Sequence, residues 1–146
     1  MEIRAAQKGD EFGIFRLIQE LANYEKAPEQ VTNTAENLAI DLFDKAICEA
    51  IVAEVDSEIV GFALWYTSYS TWKGACLYLE DFYVLPEFRA QKIGSKLFDE
   101  VVQIAKNRKV KRMDWQVLEW NQLAIDFYTR KEAILDPEWI NGRLFF

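Results

Sequence analysis

A chain of 146 residues, 51% apolar and 28% charged, fits one domain over 1–146 with a core of its own. Its net charge of −7 argues against nucleic acid, whose phosphates call for clustered Lys and Arg, and favours small cations such as amines, although the same charge would serve solubility alone. Histidine is absent, which removes Ser-His, Cys-His and His-metal schemes and leaves catalysis to carboxylates, tyrosines, backbone amides or a bound cofactor, with no metal expected.

Residues 1–6 read as a short strand with Ile3 facing inward. The opening Met1-Glu-Ile-Arg-Ala-Ala lacks the apolar core of a signal peptide, and no stretch approaches the ~20 apolar residues of a membrane span, so a cytoplasmic protein without membrane contact is expected. Asp10 stands as the cap of a helix over 11–25, where Ile14, Leu17, Ile18, Leu21 and Ala22 recur at helical spacing. Ala27-Pro28-Glu29 ends it. Thr34 is a second N-cap, for a helix over about 35–44 with Leu38, Leu42 and Phe43 on its buried side. Cys48 and Cys76 lie far apart among apolar neighbours and read as reduced core residues.

Apolar runs over 49–55 and 59–66 flank Asp56-Ser57, a hairpin signal. Residues 67–74 read as a polar loop with two aromatics, and 75–84 as the next strand. Ile93, Leu97, Val101, Ile104 and Ala105 mark a helix over about 93–108, with basic residues at its C-terminal end. Met113 to Val117 is a strand, Leu123 to Arg130 a short helix capped by Asn121, and Arg143 to Phe146 a last strand. Antiparallel strands followed by a crossover unit predict an α/β fold: a single mixed, mostly antiparallel sheet flanked by helices.

The segment from Leu77 to Leu97 carries the chemistry. It runs from a strand through a short loop into a helix whose first turn holds Gly94 and Ser95, an arrangement that leaves helix N-terminal amides for an anion such as phosphate. The patterns of a P-loop and of a dinucleotide fingerprint are both missing, so the local pattern favours an ordinary strand–helix connection over a pyrophosphate site. Glu80 and Asp81 interrupt the strand, and alternation points them to opposite faces. An inward carboxylate is costly without a partner, which makes it either half of an ion pair or a base and seat for an ammonium. Tyr128 shares a helix face with Asn121 and Ile125, either as packing or as a phenolic proton donor.

Together, Tyr-Leu-Glu-Asp-Phe-Tyr-Val at 78–84, Arg89 to Ser95, and Glu-Trp-Asn-x-x-Ala-Ile-x-Phe-Tyr-x-Arg at 119–130 resemble the GCN5-related N-acetyltransferase family, in its spermidine/spermine acetyltransferase-like branch. Tyr-Ser-Thr-Trp-Lys-Gly at 69–74 looks more like the thialysine-acetylating members. The resemblance covers nearly the whole chain and implies an acyl-CoA N-acyltransferase-like fold with acetyl-CoA as donor. By matching position, Phe82, Tyr83 and Val84 would offer strand backbone to the pantetheine arm and thioester, where the strand splays in family members. Arg89, Ala90, Gln91, Lys92, Ile93, Gly94 and Ser95 would wrap the pyrophosphate, and Asn121 would touch the cofactor. Tyr128 sits at the general-acid position, protonating the departing thiolate.

Glu80 matches the carboxylate that helps deprotonate the amine through water, a step required because an alkylammonium has a pKa near ~10. Tyr24, Glu25, Trp72, Glu80, Asp81 and Trp120 lie where the branch builds its amine pocket, and the branch forms homodimers. Two departures stand out. Lys92 occupies the first glycine of the family's loop, and Glu132 the glycine after the Tyr-x-Arg segment. The implied activity is direct acetyl transfer to a small diamine or polyamine-like substrate, thialysine-like in particular. The alternative is an acyl-CoA-binding sensor without catalysis, motivated by Lys92. CoA affinity without turnover would mark it.

Overall fold

The computed structural model describes residues 1–146, in two compact units, Met1–Trp115 and Gln116–Phe146. In the first unit, β1 (Glu2–Ala5), β2 (Glu49–Val55), β3 (Glu58–Ser70), β4 (Gly74–Val84) and β5 (Met113–Asp114) form one five-stranded sheet in chain order. The β1–β4 neighbours are antiparallel and β4–β5 is parallel. The expected mixed, mostly antiparallel sheet is thus present. The β2–β3 turn is tight because Asp56 and Ser57 both take positive φ, 49° and 64°, the conformation that matches the twist of a two-residue hairpin.

Helix α1 (Glu11–Tyr24) and α2 (Ala35–Ala39, continued by a wider π turn over Ile40–Asp44) cover one face of the sheet. Ile14, Leu17, Leu38 and Leu42 are buried there with Ala50, Val52, Phe62, Leu64 and Tyr83. Thr34 caps α2 as expected, its Oγ1 accepting from the Asn37 amide at 3.1 Å. Helix α3 (Ile93–Asn107) buries Ile93, Leu97, Phe98, Val101 and Ala105 against the other face, where Gly61 lets it come close: a Cβ there would lie 3.0 Å from both Leu97 Cδ1 and Val84 Cγ2.

Several expectations need correction. Asp10 does not cap α1; it takes helical angles and instead accepts from both Arg4 guanidinium nitrogens (2.6 and 3.1 Å) and from the Gln7 amide (2.8 Å). Arg4 also reaches Glu54 at 2.6 Å, so the triad ties β1 and β2 to the start of α1. Thr67–Ser70 are not loop but the end of β3, because they find ladder partners in Gly74–Leu77. Strand β5 is two residues, not five. The last strand is absent: 131–146 hold no helix or strand, and Arg143 to Phe146 join no ladder of the sheet. Both thiols are free, Cys76 buried and Cys48 half-buried.

The second unit contains α4 (Gln122–Arg130), capped by Asn121 Oδ1 accepting from the Ala124 amide at 3.3 Å. Its C-terminus closes in a Schellman motif: the Ala133 amide donates to Tyr128 O and the Glu132 amide to Thr129 O, with Glu132 at φ 61°. No helix of the protein is long and apolar enough to cross a membrane.

Candidate active site

Strand β4 is the axis of the site. Its ladder with β5 covers only Leu77 and Tyr78, and β4 then runs on for six residues to Val84. Phe82, Tyr83 and Val84 thus lie beyond the pairing with β5. On the other edge β3 stays paired, but the register breaks: Trp65 faces Leu79, Leu64 faces Asp81, and Glu80 is the extra residue of a β-bulge.

The bulge overturns the alternation argument. Paired residues share a face, so Asp81 lies on the side of Leu64, which is the α1–α2 side. Glu80 follows Tyr78 by two, and Tyr78 pairs with Tyr66, itself two residues beyond Leu64. Glu80 and Asp81 therefore point to the same face, not to opposite ones. Glu80 is exposed, while Asp81 is half-buried.

A third acid joins them. Glu25, at the C-terminal end of α1, is half-buried, and burial pushes its carboxyl up. Burial, then the charges of Glu80 and Glu25, push Asp81 up to about 7. Burial and the Glu80 charge raise the Tyr66 phenol as well. No Lys or Arg pairs with Glu25, Glu80 or Asp81. Asp10 shows the alternative. Burial pushes it up too, but the Arg4 guanidinium and the Gln7 amide more than offset this and hold it below the usual carboxylate range.

Beside the acids, Tyr24 and Tyr83 sandwich the Arg89 guanidinium at 5.6 and 5.4 Å from their ring centres, and Arg89 Nε donates to the Val84 carbonyl at 3.0 Å. The side chain of Arg89 thus braces the end of β4 against α1, while its main chain enters the loop. That loop, Pro86–Gln91, is a 3₁₀ turn ending at Lys92, which takes the left-handed conformation (φ 59°, ψ 19°) that a glycine would adopt freely. No side chain caps α3, and its first helical bond is from the Lys96 amide to the Lys92 carbonyl.

Gly94 tests whether an acyl-CoA pyrophosphate fits. A Cβ at Gly94 would meet Phe82 Cζ at 3.5 Å and Val84 Cγ2 at 3.8 Å, ordinary contact distances, and its φ is not positive. Neither packing nor backbone demands glycine here, and the uncapped amides at the start of α3 have the chemistry to receive a phosphate.

Trp72 is not with these residues. It sits at the tip of the β3–β4 hairpin, 88% exposed, and the strand from Gly74 to Glu80 separates it from the acids by roughly 20 Å at ~3.3 Å per residue. Asn121, Trp120 and Tyr128 belong to the second unit. There Trp120 is exposed, and Tyr128 is buried with its ring edge-on to Phe127 at 5.4 Å. What the sequence did not disclose is the bulge. Leu-Glu-Asp-Phe reads as plain alternation, and only the pairing with β3 reveals the extra residue.

Comparison with known proteins gives the family. Residues 14–132 match the Acetyltransferase (GNAT) family. The chain is 44% identical over 135 residues to the thialysine N-epsilon-acetyltransferase of Bos taurus, covering 86% of this chain and 79% of that protein. It is 37% identical over 141 residues to spermidine/spermine N(1)-acetyltransferase-like protein 1 of Homo sapiens, covering 91% of this chain but 20% of that longer protein. Among solved structures, an aminoglycoside acetyltransferase from an uncultured soil metagenomic sample superposes with a TM-score of 0.81 at 18% identity, over 99% of this chain and 95% of that one, a likeness of fold.

Proposed function

Because the chain belongs to the acetyltransferase (GNAT) family, and so is an acetyltransferase acting on amines, we propose that it moves the acetyl group of acetyl-CoA directly onto a terminal primary amine of a small diamine of the thialysine type. The observation that carries this reading is the set of three acids, Glu25, Glu80 and Asp81, gathered on one face of β4 without a cation of the protein's own. Carboxylates held this way attract and seat an ammonium ion, and a second amine extends the attraction along the acidic face. Tyr24 contributes aromatic surface to the amine, Trp120 is expected to do so from the resemblance alone, and Trp72 would have to come from another copy or serve elsewhere.

The donor would lie with its pyrophosphate against Arg89 to Ser95 and its thioester along Phe82, Tyr83 and Val84, and Asn121 is the further contact expected from the resemblance. A backbone N–H of the splayed strand stabilises the oxygen on which charge develops. The amine gives one proton to the carboxylates, for which Glu80 is the residue expected from the resemblance. Its nitrogen then attacks the thioester carbon, the C–N bond forms and the C–S bond breaks. Tyr128 protonates the departing thiolate and regains a proton from solvent, to which the new amide nitrogen releases its surplus one. The family match runs across both units, which supports one acetyltransferase domain. Two free thiols suit a cytoplasmic setting, and the exposed Trp139, Ile140, Leu144, Phe145 and Phe146 suit a homodimer.

The test is thiol release from acetyl-CoA in the presence of thialysine, spermidine and a matched monoamine, with CoA binding measured by calorimetry alongside. Release with the diamines above the monoamine is expected. CoA binding without release with any primary amine would instead make the protein an acyl-CoA sensor.

A further inference from the structure

We propose that Asp81, rather than Glu80, takes the proton from the incoming ammonium, with Glu80 the water-side charge that draws the cation in and passes the proton out to solvent. This rests on the reading above, in that the substrate is a primary amine.

The bulge is the first ground. With regular alternation only one of the two acids would face the site, whereas the extra residue places both there. They then differ in depth. Glu80 is exposed; Asp81 sits opposite Leu64 and two residues before Tyr83, both buried in the α1–α2 core. The charges that act on Asp81 are Glu80, from β4, and Glu25, from the end of α1; Arg89, after β4, is engaged elsewhere. The arginine is held between Tyr24 and Tyr83 with its Nε on the Val84 carbonyl, and forms no ion pair. Asp81 is therefore a half-buried carboxyl on which two other acids act and which has no ion-pair partner.

Burial first, and the two acids second, make it hold a proton up to about pH 7. A proton acceptor with affinity in that range is suited to work near neutral pH. The arriving ammonium supplies the positive charge that the protein withholds. It favours ionised Asp81, whose carboxylate then removes one N–H proton and leaves the nitrogen lone pair for the thioester. The resulting Asp81 acid returns the proton through exposed Glu80.

The two assignments predict opposite shifts. The experiment measures the pH dependence of kcat/KM with acetyl-CoA and thialysine for wild type, Glu80→Gln and Asp81→Asn, and the ¹³C titration of the Asp81 carboxyl in wild type and Glu80→Gln. If Asp81 is the acceptor, removing the neighbouring negative charge lowers its proton affinity. The acid limb for Glu80→Gln then moves about one pH unit lower, and the Asp81 carboxyl midpoint moves with it. Asp81→Asn loses about 100-fold or more in kcat/KM, with a residual rate that climbs with pH. A Glu80→Gln limb that moves to higher pH, an Asp81→Asn enzyme that keeps the wild-type limb, or an Asp81 carboxyl that titrates like an ordinary aspartate overturns the proposal alone. Absence of turnover in wild type overturns the diamine reading, and the proposal falls with it even if Asp81 titrates near neutrality.

Discussion

Asp10 and Asp81 are both carboxylates drawn away from water, and the fold treats them in opposite ways. Asp10 receives Arg4 and a backbone amide and stays ionised as a structural tie. Asp81 receives two further acids and no cation, a destabilising arrangement whose sign can be measured. Its folded pKa of about 7 lies above the ordinary 3.8, so between those values the folded protein holds a proton that the unfolded chain has released. Stability therefore falls as pH rises through that window, and the whole cost is present above it. Asp81→Asn should change the melting temperature little near pH 4 and raise it at pH 8, by on the order of 2–4 kcal/mol or roughly 5–10 °C. Thermal unfolding at the two pH values checks this; a larger gain at the acid end would reverse the assignment. At the same scale, Tyr128→Phe keeps the buried ring beside Phe127 and removes only the hydroxyl. It should lower kcat about 100-fold while leaving acetyl-CoA affinity within a factor of about two. Steady-state kinetics with calorimetry separates the two effects. The acids and Tyr128 were legible in the sequence as a motif, but the environment of Asp81 was not, because it depends on Glu25 arriving from a helix more than fifty residues earlier.

The helices end in a recurrent way. At the close of α1, α3 and α4 the amides of Ala27, Val110 and Ala133 donate to Ala22, Ala105 and Tyr128, and the residues before them, Lys26, Lys109 and Glu132, stand at φ 62°, 57° and 61°. Each is a Schellman motif with a side chain at the position where glycine is usual. Lysine there at least meets the negative end of the helix dipole, whereas Glu132 opposes it. Glu132→Gly should therefore stabilise by about 1 kcal/mol, and Lys26→Gly and Lys109→Gly by less, as read by chemical denaturation. Equal effects at all three would remove the dipole from the explanation. Lys92 is a related case at a helix start. Lys92→Gly relieves the same left-handed strain but removes an ammonium next to the phosphate loop. It should leave stability equal or higher and weaken CoA binding by roughly 3–10-fold. Unchanged affinity would mean that the lysine merely fills the glycine's place. Helix spans follow from apolar spacing and were legible. The fate of Asp10 was not, since a cap and an ion pair present the same local sequence and only β1 decides between them.

Across the molecule, what could be read in advance was whatever the chain states locally: the hairpin at Asp56-Ser57, the stripes of α1 and α3, and the strand–loop–helix from β4 to α3. What could not be read depends on a partner elsewhere. Thr67–Ser70 are polar enough for a loop, yet pair with the start of β4. Arg143 to Phe146 are apolar enough for a strand, yet have no ladder. The bulge at Glu80 adds a residue that only β3 makes visible. These long-range pairings gather the acids on one face of β4, where the proposed site would take its donor and its cation along one strand. The most direct measurement is a crystal structure of the protein with CoA and thialysine. The account predicts the pyrophosphate against the amides of residues 91–95 and the amine nitrogen within hydrogen-bond reach of Asp81 or a water it shares with Glu80. A thialysine nitrogen bound away from β4, with all three acids facing solvent, would contradict it.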